Sequence, residues 1–396
     1  MRVTLVTETY FPQVNGVSRT LGELVKHLLE RGDEVQLIRP NYGAEAERTA
    51  DREGDGTDGL RVLRVKSIPM PFYMELFLPL PPFGPARRAI DEFRPDVVHI
   101  ATEATLGLAA LRHVRRRGLP VVSSFHTNFD QYSRHYRVGW SKGIVCRYLR
   151  WFHNRTRETY VPSPTTIGEL TTMGFERLVL WPRGVDGTLF RPDRPGRAAV
   201  RDALGFAPDD TVISYVGRIA PEKNVGYLAE ALAQVAARAP GVKVILVGDG
   251  PSRPELERRL GPIARFVGYR TGEDLADHYA AGDLFAFSSL TETFGNVVLE
   301  AMASGMPVVA LRAGGVGDTV REGVNGLLVE AGDPPSRFAE ALLSLVIDPG
   351  RRVAMAHAAR AFALTQTWDA IMGGLRDRYE AAIRPEAGVV ALAAGR

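Results

Sequence analysis

The sequence predicts an α/β protein folded as two lobes, each built on a parallel sheet. Three observations lead there. Short, fully apolar runs alternate with longer amphipathic stretches, the alternation restarts midway, and 396 residues exceed what a single core usually supports. Strands that are apolar on both faces belong to sheets covered on both sides, which is the condition of parallel sheets flanked by helices.

In order, the expected strands are Val3 to Val6, Val35 to Ile38, Val97 to Ile100 and Val121 to Ser123, then Val212 to Val216, Val242 to Val247, Leu284 to Phe287 and Pro307 to Ala310. An amphipathic helix is expected from Ser18 to Leu29, and another begins near Val225. Trp181-Pro182-Arg183-Gly184-Val185-Asp186 is turn-rich, and the Pro/Arg/Gly segment from Arg191 to Arg197 has the composition of an interdomain linker. Residues 44 to 59, almost without large apolar groups, are expected as a surface loop. The helical pattern from about Trp368 to Ala381 either completes the second lobe or crosses back to the first, and periodicity leaves both open.

Composition excludes several classes. No apolar run approaches the roughly 20 residues that span a bilayer, and the start reads as a buried strand rather than a signal peptide, so a cytosolic protein is expected. A single cysteine, Cys146, rules out an internal disulfide and a multi-cysteine zinc site, and the eight histidines show no zinc-ligand spacing. A net charge of +3 is too mild to argue for nucleic acid.

Ligands of open α/β sheets sit beyond the carboxyl ends of the strands, and the informative residues accumulate there. Gly217-Arg218-Ile219-Ala220-Pro221-Glu222-Lys223-Asn224 joins a strand to a helix. Two cations at a helix start suit a diphosphate; the residues alone fit a solvated basic loop equally. Gly248-Asp249-Gly250 is a turn that lets a ligand approach the backbone. Asn15-Gly16-Val17 precedes the first amphipathic helix, where Gly16 either presents its N–H to a phosphate or sugar oxygen or merely admits the chain to the helix. Neither loop matches G-x-G-x-x-G, which disfavours a nicotinamide dinucleotide. The strongest segment is Glu292-Thr293-Phe294-Gly295-Asn296-Val297-Val298-Leu299-Glu300. Gly295-Asn296 suits a helix start, with Glu292 ahead of it and Glu300 within it. Carboxylates accept bidentately from vicinal hydroxyls, so one is expected on a hexose and the other on a ribose about 12 Å away if every step is helical. The backbone of Phe294, Gly295, Asn296 and Val297 is expected to line the same ligand. Glu300, among Val297, Val298, Ala301 and Met302, has no cation near in sequence, and an unpaired buried carboxylate argues for function.

These segments, with Phe11-Pro12, Gly314-Gly315 and Trp181 to Asp186, occur in the order seen in retaining glycosyltransferases of family 4, which the chain resembles over nearly its whole length. The resemblance implies a GT-B fold: an acceptor-binding Rossmann-like lobe over residues 1–185, a donor-binding one over 186–367, and a terminal helix near 368–383 crossing back. It implies Arg218 and Lys223 on the diphosphate, Glu292 on the donor hexose, Glu300 on the ribose, and Gly16, with Asn15 and Gly248, near the nucleotide sugar. It raises His126, in Phe125-His126-Thr127-Asn128-Phe129, to an active-site histidine near the donor sugar. Asp318 stands where the family usually has Glu. No D-x-D triplet, the metal-holding spacing of other glycosyltransferases, occurs in the chain. No cofactor or metal is therefore expected, and the cations manage the leaving group. Retention by front-face attack is implied by the resemblance alone.

The stretch Phe125 to Phe129 with Trp181 to Asp186 resembles the branch with GDP-mannose-dependent mannosyltransferases and sulfoquinovosyldiacylglycerol synthase-like enzymes, which implies a mannose donor and a lipid or glycan acceptor. From Tyr132 to Arg157 there are seven Arg or Lys and no acid, interleaved with Tyr136, Trp140, Tyr148, Trp151 and Phe152. This suits an anionic membrane surface, a single-stranded nucleic acid, or a half-buried helix with a solvated basic face. Phe72 to Phe83 reads as an apolar, Pro-rich loop for a lipid. The rival readings are a UDP-glucose-type transferase, a nucleotide-sugar epimerase on the same architecture, and a basic lipid or nucleic-acid binding module.

Overall fold

The apolar runs pair into two parallel sheets in the computed structural model, which describes residues 1–13, 15–43, 47, 57–70, 73–126, 139–261, 263–292 and 294–384. The expected loop at 44–59 lies outside these residues except for Glu47 and 57–59, as do Thr127-Asn128-Phe129, residues 132–138, Phe72 and Thr293.

In the first lobe, β1 (Arg2–Val6), β2 (Glu34–Pro40), β3 (Leu60–Val65), β6 (Val97–Ile100), β7 (Val121–Ser124), β8 (Thr159–Val161) and β9 (Leu178–Leu180) form one sheet, in the order β3-β2-β1-β6-β7-β8-β9. In the second, β10 (Val212–Val216), β11 (Lys243–Val247), β12 (Ala264–Gly268), β13 (Leu284–Phe287), β14 (Val308–Arg312) and β15 (Gly326–Glu330) run in the order β12-β11-β10-β13-β14-β15. Both are Rossmann-like, and in each the order reverses beside the lobe's first strand. Val6 lies level with Ile38 and Ile100, and Val216 with Val247, so the loops after these strands open at one edge of each sheet.

Five strands of the two sheets, β3, β8, β9, β12 and β15, lie outside the expected runs; β12 and β15 are the two edges of the second sheet. β3 alternates Arg with Leu and Val at a sheet edge, and β8 and β9 have three residues each. The stretch read as an apolar loop, Phe72 to Phe83, includes a strand, β5 (Tyr73–Pro79), which pairs antiparallel with β4 (Ser67–Met70) just before it. Its Phe77 ring meets Tyr42 edge-on at 5.2 Å, so this hydrophobe packs on its own lobe. The segment read as a linker is likewise anchored: Arg194 is buried in ion pairs with Asp277 and Glu273 of the second lobe.

The terminal helix, Trp368–Ile383, crosses back. Its Trp368, Met372, Leu375 and Tyr379 enter the first lobe's core beside Leu21, Leu24 and Val25 of the Gly16–Glu30 helix. Each such side chain contributes on the order of 1.5–3 kcal/mol by leaving water. Arg376 to Asp33 at 2.7 Å and Arg31 to Asp369 at 3.0 Å fix its register. At the crossing, Val185 bridges Thr367, and a Cβ on Gly184 would come within 2.6 Å of the Trp368 ring, so the two passing strands lie against each other. No helix among the described residues is long and apolar enough to cross a membrane.

Candidate donor and acceptor cleft

The site is built from the loops at the two points where strand order reverses. After β10, Gly217 sits at φ +152°, and the chain passes through the short Pro221–Lys223 turn and a left-handed Asn224 into the Val225–Arg238 helix. That path leaves Arg218 mostly exposed, 3.4 Å from Glu222, and turns Lys223 inward to an ion pair with Glu292. The two residues expected on the leaving phosphate and on the sugar thus neutralise each other.

The glycine turn after β11 is packed against protein backbone. A Cβ on Gly248 would lie 2.0 Å from the Gly217 carbonyl oxygen, and one on Gly250 would lie 2.4 Å from that of Ile219. What approaches these glycines is the neighbouring loop's backbone, so they seat the Arg218 loop against β11.

Glu292 is placed by backbone and not by helix. The helix spans Asn296–Ala303, capped at its start by Gly295 in the left-handed region at φ +83°, so the all-helical 12 Å rise does not apply. Gly315 N–H donates to the Glu292 carbonyl at 3.1 Å, and a Cβ on Gly314, itself at φ +51°, would fall 2.1 Å from that oxygen. Gly314→Ala should therefore push the Glu292 segment away. We expect a loss of about 1–3 kcal/mol in stability and a transfer rate reduced at least tenfold, read by thermal unfolding and initial rates; wild-type behaviour in both would contradict this packing.

Glu300 is buried but not unpaired, which corrects the sequence argument. Arg19 Nη1, from the first lobe, meets its Oε1 at 2.6 Å, and Tyr279 donates its hydroxyl to Oε2 at 2.9 Å. The cation was invisible in sequence because it lies 281 positions away. Phe294 is buried, and the Val297 carbonyl accepts from Tyr279 at 3.4 Å. Across the cleft, Asn15 caps the Gly16–Glu30 helix: its Oδ1 accepts from Val17 and Ser18 N–H at 3.0 and 2.9 Å, and its Nδ2 donates to Thr9. The Asn15 side chain is therefore occupied, and the helix start it fixes is what faces the cleft. A Cβ on Gly16 would stand 4.0 Å from Asn296 Nδ2, which places the two helix starts opposite one another. Asp318 joins the lobes, accepting from Thr165 N–H and hydroxyl at 3.0 and 2.9 Å.

His126 heads a polar chain that sequence did not suggest. Arg183 can only donate, so at 3.1 Å the His126 Nδ1 must accept. Its Nε2–H then donates to Ser124 Oγ at 2.8 Å, Ser124 donates to His99 Nε2 at 3.0 Å, and His99 Nδ1–H meets Tyr379 of the crossover helix at 2.5 Å. Both ring nitrogens of His126 are engaged, which leaves no free base in this arrangement.

Burial pulls His99 and His153 down to about 3, and burial, then Arg183, holds His126 well below its ordinary value. Unfolded, each takes a proton near pH 6.5. Acid therefore favours the unfolded chain, and the stability these residues lend above about pH 6.5 is lost as pH falls towards their folded values. Glu8, pushed up by burial, works in the opposite sense above pH 4.5 and offsets part of the effect. Guanidinium unfolding at pH 7.5 and 5.0 should show a fall of up to about 1.4 kcal/mol per pH unit for each histidine; equal midpoints would contradict these neutral imidazoles.

Two lobes of this topology with a cleft between their strand ends are also found in solved GT-B glycosyltransferases. The chain matches Anabaena HepE in complex with UDP at a TM-score of 0.78 and 21% identity, over 96% of this chain and 100% of that one. The family described as Glycosyltransferase Family 4 matches residues 14–188, and that described as Glycosyl transferases group 1 matches 210–348. A GDP-mannose-dependent alpha-mannosyltransferase of Mycobacterium tuberculosis is 36% identical over 96% of this chain and 97% of its own. A sulfoquinovosyl transferase of Arabidopsis thaliana is 32% identical over 96% and 74%. A GDP-mannose-dependent alpha-(1-6)-phosphatidylinositol monomannoside mannosyltransferase of Mycobacterium tuberculosis is 32% identical over 95% and 97%. The chain belongs to glycosyltransferase family 4, and its class of reaction is glycosyl transfer.

Proposed function

We propose that the protein moves mannose from GDP-mannose to a lipid-linked or glycan acceptor, with retention and without a metal ion. The observation that carries the reading is the convergence of Lys223 and Glu292 from the loops after β10 and β13. Lys223 is poised to leave Glu292 for the donor's phosphate, which frees the carboxylate for the hexose hydroxyls; Arg218, exposed beside them, adds the second cation. The bond from the anomeric carbon to the phosphate oxygen breaks, the bond to the acceptor oxygen forms on the same face, and the acceptor proton passes to the departing phosphate. Negative charge grows on that phosphate, so fixed cations there lower the barrier. His126, with both nitrogens engaged, shapes the sugar pocket and does not carry the proton. Metal independence rests on the missing D-x-D triplet.

The choice of GDP-mannose and of a lipid acceptor follows the names of the mannosyltransferase relatives. Initial rates with GDP-mannose and UDP-glucose in EDTA test the donor; faster turnover of UDP-glucose would replace it. Turnover of the donor sugar without any acceptor would favour an epimerase.

A peripheral membrane contact remains part of the proposal, on charge more than on aromatic rings. In the Gly139–His153 helix Phe152 is buried and Tyr148 donates to the Glu103 carbonyl, so these two rings face the protein, while Arg147 is exposed. Flotation with anionic and neutral vesicles tests it, and equal absence from both would remove it.

A further inference from the structure

Buried arginines in this chain come with carboxylates, with one exception among the described residues. Arg39 meets Glu47 at 2.8 Å, Arg201 meets Asp283 at 3.2 Å, and Arg194 is paired with Asp277 and Glu273. Arg183 is only 6% exposed, yet its neighbours are all uncharged. Its Nη1 donates to the Trp181 and Pro182 carbonyls at 3.1 and 3.5 Å, its Nη2 to His126, and its guanidinium lies 5.2 Å from the Trp181 ring centre. Burial alone draws its pKa down to about 10. Taking a guanidinium out of water without an anion is costly, and an apolar side chain of similar size would avoid that cost. The carbonyls and the ring hold the planar group in place without neutralising it.

Its position narrows what neutralises it. Arg183 follows β9, two residues before the bridge from Val185 to Thr367, and all its partners belong to the first lobe. His126 beside it is half-buried and neutral, so it sets no positive charge against an incoming anion's other contacts. The donor's diphosphate already has Arg218 and Lys223 in the opposite lobe. We propose that Arg183, steadied by His126 and Trp181, is an anion subsite of the first lobe that takes a carboxylate, phosphate or sulfonate borne by the sugar acceptor. The assignment to the acceptor rests on the donor-lobe reading above; the anion-binding property of Arg183 does not. An uncharged acceptor leaves the guanidinium unpaired, so the subsite selects acidic acceptors over neutral ones of the same shape.

The test uses the full chain, labelled with 15N-histidine, with GDP present in excess so that the diphosphate position is filled. Inorganic sulfate is expected to shift the His126 Nδ1 resonance saturably. Arg183→Gln should weaken that response at least tenfold, Arg183→Lys should keep most of it, and GDP affinity should change less than twofold in both. A tenfold loss of GDP affinity in Arg183→Gln would move the anion to the donor and overturn the acceptor assignment. Equal sulfate responses in wild type and Arg183→Gln, or none in either, would overturn the subsite itself. Glu300→Gln separates the two readings, because it should weaken GDP while leaving the sulfate response of Arg183 intact.

Discussion

Lys223→Ala should lower kcat by about 10²- to 10³-fold, the range for removing one preorganised donor from a developing oxyanion. The structure adds a signature to this loss. Because Lys223 also neutralises Glu292, its removal frees that carboxylate to repel the incoming diphosphate. Glu292→Gln in the same background should then relieve part of the defect in donor affinity while leaving kcat low. A double-mutant cycle on kcat/KM is expected to be non-additive by about 1 kcal/mol or more, as befits residues in contact. Additive losses would show that the pair is incidental, and unimpaired activity in Lys223→Ala would remove the phosphate role.

Glu300→Gln should weaken GDP binding by about 10- to 100-fold, since a hydrogen bond to a charged group contributes about 1.5–3 kcal/mol and each 1.4 kcal/mol is tenfold. Here, too, a resident partner matters. Arg19 occupies Glu300 Oε1 from the other lobe, while Tyr279 holds Oε2, so a ribose must displace or share the guanidinium. Arg19→Ala is accordingly expected to tighten GDP binding a few-fold even as it removes an interlobe contact. Calorimetry on both variants checks this. Weaker GDP binding in Arg19→Ala would mean that Arg19 holds the nucleotide instead of competing with it.

The sheets were legible because parallel strands buried on both faces leave runs such as Val97 to Ile100 and Leu284 to Phe287, which match the observed strands residue for residue. β3, β8, β9, β12 and β15 were not: each lies at a sheet edge or has only three residues, where burial on both faces leaves no long apolar run. At the site, the residue types on the loops after β10 and β13 pointed to phosphate and sugar chemistry. Their partners did not, because a cation from residue 19 and a carboxylate at residue 300 are joined only by the packing of two lobes. Gly314 illustrates the middle case. Its doublet with Gly315 was visible, but only the fold gives the reason, the 2.1 Å that a Cβ would leave to the Glu292 carbonyl. Arg183 sat unremarked inside a turn motif, since a sequence does not show which arginines are buried.

Calorimetric titration of GDP-mannose into the full chain in EDTA tests the central claim most directly, because it needs no acceptor. Binding is expected at one site per chain, strongly weakened in Lys223→Ala and reduced at least tenfold in Glu300→Gln. Binding of equal strength in all three proteins, or no binding to the wild type, would contradict it.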